Sequence, residues 1–234
     1  MHVRDRMTPT PITVTEDTSF EDALRTMKDR KIRRLPVVNR DGRLVGIVVE
    51  KDLLYASPSP ATSLSVFEVH YLLARMRIRD VMTKRVYTVG EDCPLEEAAR
   101  IMVDHRIGSL PVMAGGALTG IITETDIFKA FVEILGGRTA GIRLMLGVSD
   151  TKGVLACIAG EIAASGGNII SVATFQAPDT SRLILTMKVV GATKQQVLDG
   201  LTCTGAVVLD AHEVSEGGYV PRIVDERARP FEAV

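Results

Sequence analysis

The sequence predicts an α+β protein: two βαββα repeats packed about a pseudo-twofold axis, then a ferredoxin-like βαββαβ module. Two observations predict the repeats. VRDRMTPTPITVTEDTSFEDALRTMKDRKIRRLPVV, from Val3, lies over IRDVMTKRVYTVGEDCPLEEAARIMVDHRIGSLPVM, from Ile78, at a constant offset of 75 residues. After a one-residue deletion, GIVVEKDLL at Gly46 lies over GIITETDIF at Gly120. Identities include Arg4/Arg79, Asp5/Asp80, Met7/Met82, Thr13/Thr88, Pro36/Pro111 and Asp52/Asp126. A third observation predicts the last module, because from about residue 139 the pattern changes to strand, helix, two strands, helix and strand.

Within each repeat, a short alternating strand (Ile12-Thr13-Val14; Tyr87-Thr88-Val89) leads into a helix, with Phe20, Ala23, Leu24 and Met27 at helical spacing in the first copy. A β-hairpin follows, turning at Asn39-Arg40-Asp41-Gly42 in one copy and at Gly115-Gly116 in the other. A helix comes next, with Asp52 or Asp126 at its start. One unit alone buries too little surface to fold, so the two should pack on each other and leave a cleft between like halves. The connecting stretch is Pro/Ser-rich from Ser57 to Ser63. It then reads as a helix with capping-box spacing at Ser65 and Glu68 and an apolar stripe of Val66, Val69, Leu72, Leu73 and Met76.

In the last module IRLMLGVS is a strand, Asp150 to Gly153 open the helix VLACIAGEIAASG, and Asn168 to Ala173 form a second strand. Pro178-Asp179-Thr180 is a turn, LILTMKVV a third strand, KQQVLDGL a short helix and AVVLDAHEV the last strand. The expected divisions are a first repeat at 1–60, a linker helix at 61–77, a second repeat at 78–137, the ferredoxin-like module at 138–215 and a loosely ordered tail at 216–234.

The paired units, with their G-h-h-T-x-x-D endings and h-P-V-V strands, resemble tandem cystathionine-β-synthase (CBS) domains, the Bateman module. DTKGVLACIAGEIAASGGNI is similar to the signature of an ACT domain, a ligand-sensing module of amino-acid metabolism. The whole arrangement resembles the small CBS–ACT regulators associated with bacterial acetoin-utilisation operons.

The CBS resemblance implies an adenine nucleotide, AMP, ADP or ATP, in the cleft. An aspartate would accept both ribose hydroxyls and a threonine would lie nearby. The matching positions are Thr123 and Asp126 in the second copy and Asp52 in the first, where Val49 replaces the threonine. Loss of that hydroxyl is expected to weaken the first site by about 1 kcal/mol. The competing reading makes both aspartates plain N-caps of the helices LLYA and IFKAFVEIL. KIRRLPV resembles the phosphate-contacting stretch of adenylate-sensing CBS proteins, which nominates Arg33 and Arg34; otherwise this run is a solvated helix end. S-adenosylmethionine suits the site less well, because its sulfonium would be repelled by those arginines. The ACT resemblance implies an amino acid held between two such domains, at positions matching Asp150, Gly153, Asn168 and Ile169; Gly153 also reads as a simple turn residue and Asn168 as a strand cap.

Lys+Arg number 28 and Asp+Glu 29, leaving a net charge of −1 and no global field to attract nucleic acid or an acidic membrane surface. No apolar run approaches the roughly 20 residues that span a bilayer. Three separated cysteines, Cys93, Cys157 and Cys203, fit neither a disulfide framework nor a metal site, and are expected to be buried thiols in a reducing cytoplasm. No catalytic constellation stands out. Ile121 occupies the lysine position of the phosphate-loop spacing that starts at Gly115, and Glu216 takes the second histidine position after His212-Glu213. The expectation is a non-enzymatic, homodimeric nucleotide sensor acting on an unknown regulated protein. Two alternatives are an amino-acid sensor with a structural CBS dimeriser, and a regulatory subunit of a separate enzyme.

Overall fold

Val3 and Ile78, the first residues of the two repeats, are fully buried in the computed structural model, which describes residues 1–56, 66–176 and 183–215. The chain divides into two compact units, Met1–Phe128 and Lys129–Val234.

The first unit begins with a 3-10 turn at Val3–Asp5, then β1 (Thr8–Pro9), β2 (Val14–Thr15), α1 (Phe20–Arg30), β3 (Arg34–Val38), β4 (Leu44–Val49) and α2 (Glu50–Ala56). Helix α3 (Val66–Arg75) leads to the second copy: α4 (Ile78–Val81), β5 (Val89–Gly90), α5 (Leu95–His105), β6 (Ser109–Ala114), β7 (Ala117–Thr123) and α6 (Glu124–Ile134). Helix α1 starts where Ser19 Oγ accepts the Asp22 N–H at 3.1 Å. It ends at Lys31 with φ +53°, and α5 ends the same way at Arg106 with φ +54°. The buried face of α1 is Phe20, Ala23 and Met27, packed with Leu35, Val37, Val48 and Leu53; Leu24 lies at the margin of this cluster.

Both hairpins form as the turn residues dictate. Asn39 Oδ1 accepts the N–H groups of Asp41 and Arg43 at 3.0 and 2.9 Å, and Gly115 and Gly116 take φ +56° and +84°. The strands expected from Ile12 and Tyr87 start two residues later, at Val14 and Val89. These valines are the buried ones, 8% and 7% exposed, and pair in parallel with Val37 and Val112, whereas Ile12 is 39% exposed.

The copies are joined by a reciprocal exchange. Thr8 and Pro9 pair antiparallel with Ile121 and Gly120, so β1 of the first copy completes the sheet β1-β7-β6-β5 of the second. In return Thr83 bridges Ile47 on β4, at the edge of the first copy's sheet β2-β3-β4. Met7 and Met82 seat this exchange. A Cβ on Gly120 would stand 2.4 Å from the Met7 sulfur, and one on Gly46 2.5 Å from that of Met82. Arg4 pairs with Asp92, and Arg79 Nη1 with Asp17 Oδ1 at 2.5 Å, so the repeated arginines each reach the other copy.

The second unit is the sheet β11-β8-β10-β9, formed by β8 (Gly141–Val148), β9 (Asn168–Gln176), β10 (Leu183–Val190) and β11 (Val207–Val214). Helices α7 (Val154–Ala164) and α8 (Lys194–Leu201) cover one face. Ile142, Leu144, Leu146 and Val148 alternate toward Ile158, Ile162, Val197 and Leu201, the βαββαβ core expected from the sequence.

One expectation fails: Cys157 and Cys203 are exposed and Cys93 is only partly buried. Cys157 falls on the solvent side of α7, whose buried stripe is Ile158 and Ile162, and Cys203 sits in the 3-10 turn Thr202–Thr204 after α8. The Ser57–Ser63 stretch, the cap at Ser65, the Pro178 turn and the 216–234 tail lie outside the described residues.

Candidate functional site

The repeated aspartates are not N-caps. Helix α2 begins at Glu50 and α6 at Glu124, two residues before the aspartate, so Asp52 and Asp126 occupy the third helical position and reach back. Asp52 Oδ2 accepts the Val49 N–H at 3.1 Å, and Asp126 Oδ2 accepts the Thr123 N–H at 3.0 Å. This is the reciprocal half of a capping box, and it places a carboxylate beside the positive end of each helix. The Thr123 hydroxyl also donates to Asp126 Oδ2, at 2.6 Å. In the first copy Val49 has no such group, so Asp52 carries one internal donor fewer.

A cavity of about 460 Å3 lies between the copies on the Asp52 side. One wall is Ile47, Val49 and Asp52, from the end of β4 and the start of α2; the other is Ile107, Gly108 and Ser109, leading into β6. Thr83, Val86 and Tyr87, on the exchanged segment of the second copy, close a third side. The volume is that of a small-molecule site. Its lining carries five cations, Arg33, Arg34, Lys51, Arg85 and Arg106, against two carboxylates, Glu50 and Asp52. The local field therefore favours an anion although the chain as a whole is nearly neutral.

Arg34 is the most enclosed cation of this lining whose ion pair is seen. Its guanidinium is 3.7 Å from Glu124 and its side chain only 19% exposed. Burial pulls its pKa down, opposed by the nearby Glu124 carboxylate. Both groups rest on Gly108, where an added Cβ would meet Arg34 Nη2 at 2.3 Å and Glu124 Oε2 at 2.9 Å. Tyr87 stacks on His105 with ring centroids 4.0 Å apart, and Arg85 lies over the tyrosine ring at 6.0 Å.

The structure thus brings Asp52, Arg33 and Arg34 to one cavity. Thr123 and Asp126 lie at the equivalent place in the other copy and do not line it. Thr83, Arg85, Tyr87 and Arg106 are lining residues that the motif reading missed. Superposing the repeats offered a signal for Thr83, which stands 75 residues after Thr8. The cross-copy pairing that carries it to β4 is not visible in either copy alone.

The four positions nominated in the ferredoxin-like module are not brought together within one chain. Leu183 pairs with both Val148 and Gln176, and Val189 with both Ile142 and Ile169. Asp150 and Gly153 therefore follow one end of the sheet while Asn168 and Ile169 begin at the other, roughly 20 Å away along the strands. A site using all four would need two copies. Among the described residues no group of three or more His, Cys, Asp or Glu could hold a metal, and no helix is long and apolar enough to cross a membrane.

The sequence profile of the CBS domain matches residues 3–59 and 78–133. A CBS domain-containing protein of Dictyostelium discoideum is 31% identical over 134 residues, covering 57% of this chain and 92% of that protein. The chain belongs to the CBS-domain family. Residues 140–212 match the TTHA0829-like ACT domain, so the tandem CBS pair carries a C-terminal ACT-like domain. Both kinds of domain are regulatory modules. A crystal structure of a Vibrio cholerae protein ascribed to acetoin utilization is 33% identical, covering 58% of this chain and 93% of its own, with a TM-score of 0.49. The crystal structure of CBSX2 in complex with AMP is 32% identical, covering 57% of this chain and 97% of its own, with a TM-score of 0.47. In the CBS pair described here, the G-h-h-x-x-x-D endings are the β4–α2 and β7–α6 junctions.

Proposed function

We propose that this protein is a non-enzymatic regulatory sensor that takes an adenine nucleotide into the cleft of its CBS pair. The observation that carries this reading is the cavity that sets two helix-start carboxylates, Glu50 and Asp52, and five cations around apolar walls. Vicinal ribose hydroxyls are donors suited to Asp52, and the purine fits between Ile47, Val49 and Ile107. The phosphates meet the arginine-rich rim, which disfavours the cationic sulfonium of S-adenosylmethionine. Asp126 with Thr123 marks a second, equivalent position, whose carboxylate already accepts two bonds from the threonine.

Exposed Leu54 and Tyr55 on α2, with Val103 on α5 and Phe128 on α6, give this unit apolar surface suited to a second copy, so the functional form is a homodimer. Ligand in the cleft alters how the copies pack, and the ACT-like domain passes the state to a regulated protein.

A thermal-shift panel of AMP, ADP, ATP, S-adenosylmethionine and the amino acids tests the reading. A nucleotide at about 100 times its Kd should add roughly 2.7 kcal/mol to stability. Stabilisation by amino acids alone would instead make the ACT-like domain the sensor. Sedimentation of a monomer at micromolar concentration would remove the dimer.

A further inference from the structure

Arg34 lines the cavity of the CBS pair, yet its partner, Glu124, belongs to the other copy and lies outside that lining. Their 3.7 Å separation is an ion-pair distance, too long for a good hydrogen bond. The Glu124 side chain is 54% exposed, so the pair is weak enough to be exchanged for a better anion. Arg34 itself is poorly solvated, and a cation in that position favours whichever anion comes closest.

We propose that Glu124 is an internal competitor for ligand phosphate, which must take Arg34 from it, and that this exchange sets how strongly the cleft prefers nucleotide over nucleoside. The proposal rests on the nucleotide reading and assigns a specificity role to a residue outside the cavity lining. Gly108 makes the exchange sterically feasible. With no Cβ there, the guanidinium and the carboxylate share the space above its backbone. The Glu124 N–H is held by the Gly108 carbonyl at 3.1 Å, so α6 keeps its start when the side chain lets go.

Calorimetric titration of the full chain with adenosine, AMP and pyrophosphate tests this, using the parent, Glu124→Gln, Arg34→Gln and the double variant. Glu124→Gln should tighten AMP about fivefold more than adenosine, the size of an exposed ion pair converted to affinity. In the Arg34→Gln background the same change should shift the AMP-to-adenosine ratio by less than about twofold. An equal shift in both backgrounds would mean plain charge repulsion and overturn the proposal, as would no shift in either. Retained adenosine binding reports that the variants keep the cleft. If the parent binds neither nucleoside nor AMP while Glu124→Gln gains pyrophosphate, the adenine reading falls and the competitor role stands. If no variant binds any of the three, both fall.

Discussion

The sulfur of Met82 stands 2.5 Å from where a Cβ on Gly46 would be, and the Thr83 carbonyl oxygen 3.2 Å from the same point. The glycine that opens GIVVEKD is therefore a seat for the segment exchanged from the other copy. Met7 and Thr8 make the same demand of Gly120.

Replacing either glycine by alanine forces a methionine off its rotamer and crowds a backbone carbonyl. Gly46→Ala and Gly120→Ala should each cost about 1–2 kcal/mol, net of the entropy gained by losing a glycine. Gly90→Ala, which meets nothing within 4 Å, should stay within about 0.5 kcal/mol of the parent. Urea unfolding followed by circular dichroism reads the difference; coincident midpoints for all three variants would mean that the seat is not sterically tight.

Asp52→Asn keeps an acceptor for the Val49 N–H and removes the charge that would hold the ribose. It should weaken AMP by about tenfold or more, the worth of a charge-assisted hydrogen bond. The motif, with its threonine only in the second copy, makes Asp126 the stronger position. Asp126→Asn should nevertheless do less, because that carboxylate already accepts the Thr123 hydroxyl and does not line the cavity. Calorimetric Kd values in the reverse order would move the principal site to the second copy.

Thr123→Val recreates the first copy's residue in the second and deletes the hydroxyl bound to Asp126 at 2.6 Å. The loss should be about 1 kcal/mol of unfolding free energy, since the threonine serves the helix start. A variant as stable as the parent would imply that the hydroxyl is held for a ligand instead.

Desolvation, then the charge and hydrogen bonding of Glu161, raise the pKa of Cys203 above its ordinary value. A raised thiol pKa lowers the thiolate fraction near neutrality, so alkylation of Cys203 should be slow there and should accelerate as pH climbs toward that pKa. Glu161→Gln, with one charge removed, should speed the reaction at pH 8. Mass spectrometry of timed iodoacetamide pulses measures it; equal rates in both proteins would discount Glu161.

The repeat was legible because it is written in local chemistry: helical spacing at Phe20, Ala23 and Met27, turn residues at Gly42 and Gly115, and the order of strands and helices from Gly141 to Val214. Asp52, Arg33 and Arg34 were legible through motif resemblance, which follows from the same local grammar. One feature of the site had no local signal. The register of the aspartates depended on where each helix starts, and a carboxylate reaching back from the third position has nearly the same sequence signature as one capping from outside.

The sequence by itself determined two like halves and a ferredoxin-like module, because side-chain periodicity and turn preference act between neighbours in the chain. Only the tertiary structure decided that a cavity between the copies lies beside Asp52 and that Thr83, Arg85 and Tyr87 line it. It also decided that Gly108 carries the contact between Arg34 and Glu124. Those relationships join residues from opposite copies, and their geometry comes from the reciprocal strand exchange, which closes only when both halves are folded.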